Sequence, residues 1–472
     1  MTQSSTYDVV VIGAGPVGEN VADRVVKGGL TAVIVERELV GGECSYWACM
    51  PTKALLRSSS ALRAARAVGG AKEAVTGALD AAAVLRRRDE FASNWQDDGQ
   101  VDWLKSAGID LVRGHGRLAG PRKVEVADPE GARVELIARH AVVVATGTAA
   151  LLPDIPGLAG VNPWTSREAA AAKHVPRRLA ILGGGVVATE MATAYAALGS
   201  EVTLLARSGL LSGNEPFAGE LVAQALTEAG ATVRTGTTAT AVRRDDDGVV
   251  HLTLPGGEEI LADEVLVAVG RTPRSEDLGL ETVGLEPGSW LTADDTLLAH
   301  EDWLYAAGDV NHRALLTHQG KYQARAAGDA IVARATGAEL DDRPWGRHVA
   351  TADHRAVPQV TFTEPEVASV GLTAAAAERA GYRTRVVDYD IGSVAGAKLH
   401  ADGYTGTARM VVDEDRKVLL GVTFAGPDVA ELLHSATVAV VGEVPLERLW
   451  HAVPSYPTVS EVWLRLLEAY GR

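Results

Sequence analysis

YDVVVIGAGPVGENVADRVVKGGLTAVIVE, residues 7–36, decides the fold. Tyr7–Ile12 is a continuous apolar run, the pattern of a parallel strand buried on both faces. Gly13, Gly15 and Gly18 follow in GxGxxG spacing and open a helix that ends near Gly28 and Gly29. Thr31–Val35 reads as the second strand, with Glu36 at its end. Strand, glycine turn, helix, strand and acid in this order form a complete dinucleotide fingerprint. The glycines let backbone approach a pyrophosphate, the helix N-terminus counters its charge, and Glu36 accepts hydrogen bonds from an adenosine ribose. GxGxxG alone is a weak signal; here it has its whole context.

Directly downstream, Gly41–Lys53 reads GGECSYWACMPTK and holds Cys44 and Cys49, the two cysteines of the chain. Their spacing is wider than CxxC, and two thiolates are too few for a structural zinc site, so no metal site is expected. Pro51 suits the first turn of a helix, and Lys53–Leu56 continues it with good helix formers. Cys49 therefore belongs at a helix N-terminus, where the dipole favours a thiolate. Gly41 and Gly42 let the backbone turn close against a flat group. At this level two readings stand: a redox-active disulfide held against a flavin, or two buried structural cysteines.

A second fingerprint begins at the strand Leu179–Leu182. Gly183, Gly184 and Gly185 lead through Val186 and Val187 to Ala188 as the third small residue, and the helix runs through Glu190 to about Leu198. After the strand Val202–Leu205, the position matching Glu36 is Ala206, followed by Arg207. Loss of the acid removes the partner of a free 2′-hydroxyl, and a guanidinium suits a 2′-phosphate. The first site is thus expected to take FAD or NAD, and the second NADP(H).

Ala141–Ala145 reads as another buried strand, ended by Thr146 and Gly147, and Asp154–Gly157 as a loop crossing between domains. Glu264–Gly270 leads into Arg271-Thr272-Pro273, and the strand from Trp303 ends in Gly308-Asp309, an aspartate placed to hold a polyol hydroxyl. A helix is expected over Gly320–Ala335. The Ala- and Arg-rich stretch Ser58–Trp103 reads as one or two long helices. From Trp345 the pattern becomes α+β, with strands at Val360–Thr363, Arg383–Tyr389, Thr407–Asp413 and Val418–Ala425 and no nucleotide fingerprint.

Composition bounds the rest. A chain of 472 residues makes two to four domains with large cores. A net charge of −16 argues against nucleic acid or an anionic membrane as partner. No apolar run approaches a membrane span, and the N-terminus lacks the basic region and cleavage site of a secretory signal, so a cytoplasmic location is expected.

The constellation resembles the flavin-dependent pyridine nucleotide–disulfide oxidoreductases, the group of dihydrolipoamide dehydrogenase, glutathione reductase and mercuric reductase. Five features carry the resemblance over nearly the full length: GAGPVG with Glu36, GGECSYWACMPTK, GGGVVATE, AAGDV at Ala306–Val310, and YPTVSE at Tyr456–Glu461. VTFTEPEVASVG, Val360–Gly371, is similar to the family's dimerisation domain. The implied fold is α/β, with two Rossmann-like dinucleotide-binding domains and a C-terminal α+β dimerisation domain. The expected boundaries are 1–153 and 275–344 for the two parts of the FAD domain, 154–274 for the NAD(P)H domain and 345–472 for the interface domain.

The resemblance implies FAD on Gly13, Gly15, Gly18, Glu36, Gly42, Thr146, Gly147, Gly308 and Asp309. It implies NADPH, with NADH possible, on Gly183, Gly185, Ala188, Arg207 and Gly270. Cys49 is then the sulfur beside the flavin, and Cys44 the outer sulfur that exchanges with substrate. Lys53 and Glu190 match the family's ion pair near the reactive edge of the flavin. A homodimer is implied, each tail completing the partner's site through Tyr456 and Glu461. LLARSGLL, Leu204–Leu211, looks most like the NADPH-using mercuric reductases.

Three departures qualify the match. Tyr46 and Trp47 stand between the cysteines where smaller groups are usual. Tyr456 stands where the disulfide reductases have the histidine of a His–Glu pair, a place where mercuric reductases also accept tyrosine. The chain ends EAYGR without the cysteine pair that delivers mercuric ion, and it begins without a metal-capturing domain. The expected function is electron transfer from NADPH through flavin and the Cys44–Cys49 disulfide to a small acceptor, a disulfide or a soft metal ion. Such an enzyme is an oxidoreductase of the sulfur-acting or metal-ion-acting type. Direct flavin reduction of quinones is the alternative, and a redox-sensing flavoprotein ranks last.

Overall fold

The computed structural model describes residues 3–471. It divides into two compact units. One comprises the chain up to Met50, Asp89–Ala149 and Arg271–His354; the other comprises Pro51–Arg88, Ala150–Gly270 and the chain from Arg355.

The first unit is built on an eight-stranded sheet. Its main path runs Leu298–His300, Leu304–Ala306, Arg133–Val144, Gln3–Ile12, Ala32–Glu36 and Asp110–Arg113. The central strand Gln3–Ile12 pairs in parallel with Ala32–Glu36 on one side, Val9 opposite Ala32, and with Arg133–Val144 on the other. Val9, Val10 and Val11 are fully buried, as their unbroken apolar run requires. Helices Pro16–Lys27 and Thr317–Thr336 cover one face at close range. A Cβ on Gly320 would lie 2.6 Å from Val17 Cγ2, and one on Gly328 2.6 Å from Arg24 Cβ. Only glycine lets these two helices approach so nearly.

The second unit holds a four-stranded parallel sheet ordered Thr232–Thr235, Glu201–Ala206, Arg178–Leu182, Glu264–Val267, with a three-stranded antiparallel sheet over Ala241–Ala262. It also holds a five-stranded antiparallel sheet ordered Pro358–Thr361, Glu366–Gly371, Val418–Gly426, Thr407–Asp413, Thr384–Asp390. Every residue of Val418–Gly426 is buried, so this strand is the centre of its core.

Several elements differ from the sequence expectation. The Ala- and Arg-rich stretch forms three helices, Cys49–Arg66, Ala81–Phe91 and Asp98–Ser106. The Gly69-Gly70 pair, with Gly70 at φ +87°, interrupts it. Gln3–Ile12 begins four residues earlier than its apolar run because Gln3–Tyr7 pairs with Val134–Ala138. The strands Asp110–Arg113, His115–Leu118, Lys123–Ala127 and Glu366–Gly371 carry no long apolar run and are recognised only from their pairing.

Candidate redox and nucleotide sites

Helix Pro16–Lys27 starts at Gly15, and no side chain caps its first turn. Its free N–H groups and dipole make an anion site. The three fingerprint glycines have different reasons to be glycine. A Cβ on Gly13 (φ +105°) would sit 2.5 Å from Ala145 O, and one on Gly18 would strike Gly13 O at 1.9 Å. These two are required by the protein's own packing. Gly15 has φ −71°, and a Cβ there would meet no protein atom within 4 Å. Nothing among the described residues demands glycine at position 15, and its missing side chain leaves room for a pyrophosphate. Gly42 turns at φ +57° against Gly15, where a Cβ would stand 2.8 Å from Gly15 Cα. Glu36 accepts from Ala14 N–H at 2.7 Å and Glu38 N–H at 2.8 Å, which fixes the carboxylate while leaving lone pairs for ribose hydroxyls. These residues fit FAD.

Asp309 follows Gly308, whose φ of +80° places its Cα side against Val17. Thr148 Oγ1 donates to Asp309 at 3.0 Å and accepts from Arg271 Nε at 2.5 Å. Burial raises the Asp309 pKa, while Thr148 and Arg271 act in the opposite direction. Thr146 Oγ1 donates to Arg274 O, Gly147 O accepts from Arg274 N–H, and Arg274 pairs with Glu43 at 2.6 Å. Thr148, Arg271 and Arg274 were not singled out in the sequence. Arg271 and Arg274 flank a proline after a predicted strand, a signal that could have drawn attention to them.

Cys44 lies in the short helix Gly42–Tyr46, and Cys49 opens the helix Cys49–Arg66. Both are thiols in this structure and half-buried. They face each other closely enough to hydrogen-bond, and Thr317 Oγ1 lies 3.2 Å from Cys49 Sγ. The Cys44 thiol is pushed up, first by its hydrogen bond to Cys49 and then by burial, while Thr317 and the Lys321 charge pull it down. Of the two aromatics, Tyr46 is buried and donates to Val40 O at 3.0 Å, so it anchors the cysteine loop as packing. Burial raises its phenol to about 12. Trp47 is half-buried beside it, with the rings 5.7 Å apart and edge to face.

In the second unit, Lys53 Nζ donates to Glu190 at 2.7 Å, and the other Glu190 oxygen accepts from Phe362 N–H at 2.9 Å. Lys53 Nζ also stands 5.0 Å from the centre of the Phe362 ring. Glu190 is 2% exposed, whereas Lys53 is only half-buried, its side chain 37% exposed. The second fingerprint repeats the logic of the first. A Cβ on Gly183 (φ +130°) would lie 2.2 Å from Ala268 O, whereas Gly185, the N-cap of helix Val186–Ala197, faces no protein atom. Ala188 is fully buried in that helix. Gly270 has φ +155° and faces Leu151. Ala206 is buried at its strand end, and Arg207 is exposed with no hydrogen bond or ion pair among the described residues. That cationic end without an acid fits a 2′-phosphate.

In the tail, Tyr456 and Glu461 do not meet. Tyr456 is 76% exposed and has no hydrogen-bond partner among the described residues. Glu461 is buried, pairs with Arg465 at 2.6 Å, and leaves Oε2 without a partner. Among the described residues no group of three or more His, Cys, Asp or Glu side chains is placed to hold a metal ion.

Comparison with known proteins gives the class. Residues 7–333 match the family described as pyridine nucleotide-disulphide oxidoreductase, and residues 357–466 match its dimerisation domain. A dihydrolipoyl dehydrogenase from Thermus scotoductus is 34% identical over 474 residues, covering 98% of this chain and 97% of that protein. A mercuric reductase from Streptomyces lividans is 32% identical over 468 residues, covering 98% and 96%. Among solved structures, a Cu(II) complex of the HOCl-induced flavoprotein disulfide reductase RclA from Escherichia coli superposes with a TM-score of 0.84 at 22% identity, covering 98% of this chain and 99% of that one. The last likeness speaks to fold alone.

The chain belongs to the pyridine nucleotide-disulphide oxidoreductases. It is an oxidoreductase of a family that depends on FAD and NAD(P)H and carries a redox-active disulfide and a dimerisation domain. No helix among the described residues is long and apolar enough to cross a membrane.

Proposed function

We propose that this protein is an NADPH-dependent flavoprotein reductase that passes two electrons through Cys44 and Cys49 to a small acceptor. The observation that carries the reading is the facing pair of thiols at the start of helix Cys49–Arg66, with Thr317 Oγ1 on the Cys49 sulfur. FAD, when bound, takes hydride from the nicotinamide and hands on the electron pair. Gly15 and the first turn of helix Pro16–Lys27 hold its pyrophosphate, Glu36 its ribose, and Asp309, fixed by Thr148, its polyol chain. Gly185 and Arg207 hold the pyrophosphate and 2′-phosphate of NADPH. Lys53, held by the buried Glu190, matches the family's cation near the flavin's reactive edge. Cys49 takes the electrons as the disulfide opens, and Cys44 meets the acceptor. The enzyme acts as a cytoplasmic homodimer with its tails completing the partner's site. Its nucleotide domain spans 154–274 and its interface domain 345–472.

The acceptor reading follows from the tail. Reducing an ordinary disulfide releases two thiolates that need protons, a step that general acid catalysis speeds by about 10²–10⁴-fold. Tyr456 is an exposed phenol without a partner, and Glu461 is already committed to Arg465. The preferred acceptor therefore needs no thiol protonation, as a soft metal ion such as mercuric ion does not, or it is a disulfide with acidic thiols. Soft metals suit a thiolate pair on ligand grounds.

Anaerobic stopped-flow mixing of NADPH-reduced enzyme with mercuric ion, glutathione disulfide, lipoamide, mycothiol disulfide and quinones tests this. Rapid reoxidation by mercuric ion or by a disulfide with acidic thiols, lost in Cys44→Ser, is expected. Full turnover with quinones in Cys44→Ser would instead identify direct reaction at the flavin.

A further inference from the structure

The turn that presents Asp309 is built around one atom. Gly308 N–H donates to Gln323 Oε1 at 2.8 Å, and Asn311 Nδ2 donates to the same oxygen at 2.8 Å. Gln323 lies on helix Thr317–Thr336 and is fully buried. The Gly308 amide can only donate, so the atom facing it is the carboxamide oxygen. Asn311 Nδ2 also donates to Ala306 O at 3.0 Å, and Asn311 Oδ1 accepts from Arg313 N–H at 3.0 Å. The strand end at Ala306, the turn at Gly308 and the chain at Arg313 are thereby tied to one buried pair of carboxamides.

The same helix presses on the turn directly. A Cβ on Gly320, about one turn before Gln323, would come to 3.4 Å from Gly308 Cα. Gly308 has φ +80°, and glycine is permissive there, so its own dihedral preference does not hold the turn in one shape. Contacts from outside must do so. Gln319, one turn before Gln323, donates to Asp353 Oδ1 at 2.8 Å, and Asp353 Oδ2 stands 2.9 Å from Arg313 Nε. Arg313 reaches Asp295 as well, at 2.6 Å. The charged members of the network therefore fix Arg313 and the helix, and Gln323 is the neutral member that reaches the turn.

We propose that Gln323 is a positioning residue for the flavin: its Oε1 fixes the Gly308 turn, and with it Asp309, in the orientation that meets the polyol chain of FAD. The inference rests on the reading of Asp309 as the residue that holds that chain. Thr148 Oγ1 donates to Asp309 Oδ2 at 3.0 Å, but one hydroxyl fixes a carboxylate oxygen and not the backbone that carries it. Gln323 supplies the backbone constraint. Removing its Oε1 leaves two buried donors without that acceptor, the Gly308 amide and the Asn311 carboxamide. The turn then relaxes toward other partners, and the Asp309 carboxylate moves with it. Gln323 thus acts through Asp309 rather than on the cofactor.

FAD release from the loaded enzyme, followed by the rise of flavin fluorescence on dilution, tests this. Gln323→Met keeps the length of the side chain and removes the acceptor. It should release FAD at least about tenfold faster than wild type, because a buried donor left unpaired is costly. Gln323→Glu restores an acceptor oxygen at the same place and should release FAD at about the wild-type rate at pH 6, where burial keeps the new carboxyl protonated. A role in filling space alone would not separate Met from Glu in this way. Asp309→Asn should also release FAD faster than wild type. Gln323→Met combined with Asp309→Asn should be no faster than the quicker of the two, because both act on one contact. Should Gln323→Met fail to fold, Gln323→Asn takes its place in the same cycle, since it stays polar and withdraws the oxygen by one methylene. Three outcomes overturn the inference: wild-type release without the Gln323 oxygen, effects that multiply in the double variant, or release from Gln323→Glu as fast as from Gln323→Met. In each of them, faster release from Asp309→Asn leaves the reading of Asp309 standing. Unchanged release from Asp309→Asn would overturn that reading and the inference with it.

Discussion

Arg207 shows how much one side chain can carry. It stands exposed after the buried Ala206, at the strand end where Glu36 stands in the first fingerprint, and no ion pair neutralises it among the described residues. A hydrogen bond to a charged group is worth about 1.5–3 kcal/mol. Arg207→Glu should therefore lower kcat/KM for NADPH by at least about tenfold while changing NADH use much less, measured by steady-state flavin reduction. Equal efficiency with both nucleotides in the wild type would remove the assignment. Tyr456 is the other decisive residue. Tyr456→His should raise turnover with glutathione disulfide or lipoamide, because an imidazole titrates near neutral pH and a phenol does not. Wild-type turnover of either disulfide as fast as hydride arrives would refute the acceptor argument.

At the scale of elements, the glycines separate packing from ligand binding. Gly18→Ala drives a Cβ against Gly13 O at 1.9 Å, and overpacking of this kind costs about 1–3 kcal/mol. It should lower the melting temperature of the FAD-free protein. Gly15→Ala meets only open space, so it should leave that temperature unchanged and reduce the FAD retained on purification. Gly185→Ala should behave in the same way toward NADPH, raising KM without loss of stability. The strand Glu366–Gly371 supplies a different test. Burial first, then Asp428, Glu364 and Glu431, push the Glu366 carboxyl up from 4.5 to about 7, against its hydrogen bond from Ala430 N–H. The fold thus disfavours the ionised form. That penalty is full above pH 7, shrinks as pH falls through 7, and is gone below about 4.5. Glu366→Gln, which can still accept from Ala430, should raise the melting temperature clearly at pH 8 and little at pH 5 by calorimetry.

For the whole molecule, the match of residues 357–466 to a dimerisation domain gives a reason for apolar side chains left in solvent. Leu399, Val438 and Val453 are 69%, 55% and 83% exposed in the single chain. Exposed apolar groups of this kind mark association surfaces when they form a patch. Analytical ultracentrifugation should find a dimer at micromolar concentration. Tyr456, exposed and without a hydrogen-bond partner among the described residues, is expected to be covered by the second chain. A monomeric enzyme with full turnover would remove that role from the tail.

The features legible in the sequence are those whose physical cause lies within a few residues. The two fingerprints read clearly because glycine spacing, apolar runs and the acid or arginine after the second strand are all local. The helix beginning at Cys49 read clearly because Pro51 and the helix formers after it are adjacent. Tertiary structure decided what depends on chain segments far apart. Thr317 reaches Cys49 across 268 positions, and Thr148 is held between Arg271 and Asp309. The strands Asp110–Arg113 and His115–Leu118 carry no long apolar run, so only their pairing makes them strands. Tyr456 and Glu461 stand five positions apart in a pattern that suggested a pair. The fold turns one outward and gives the other to Arg465, four residues on along the helix, because an ion pair at that spacing is already in reach while the phenol has nothing in its own chain to hold it.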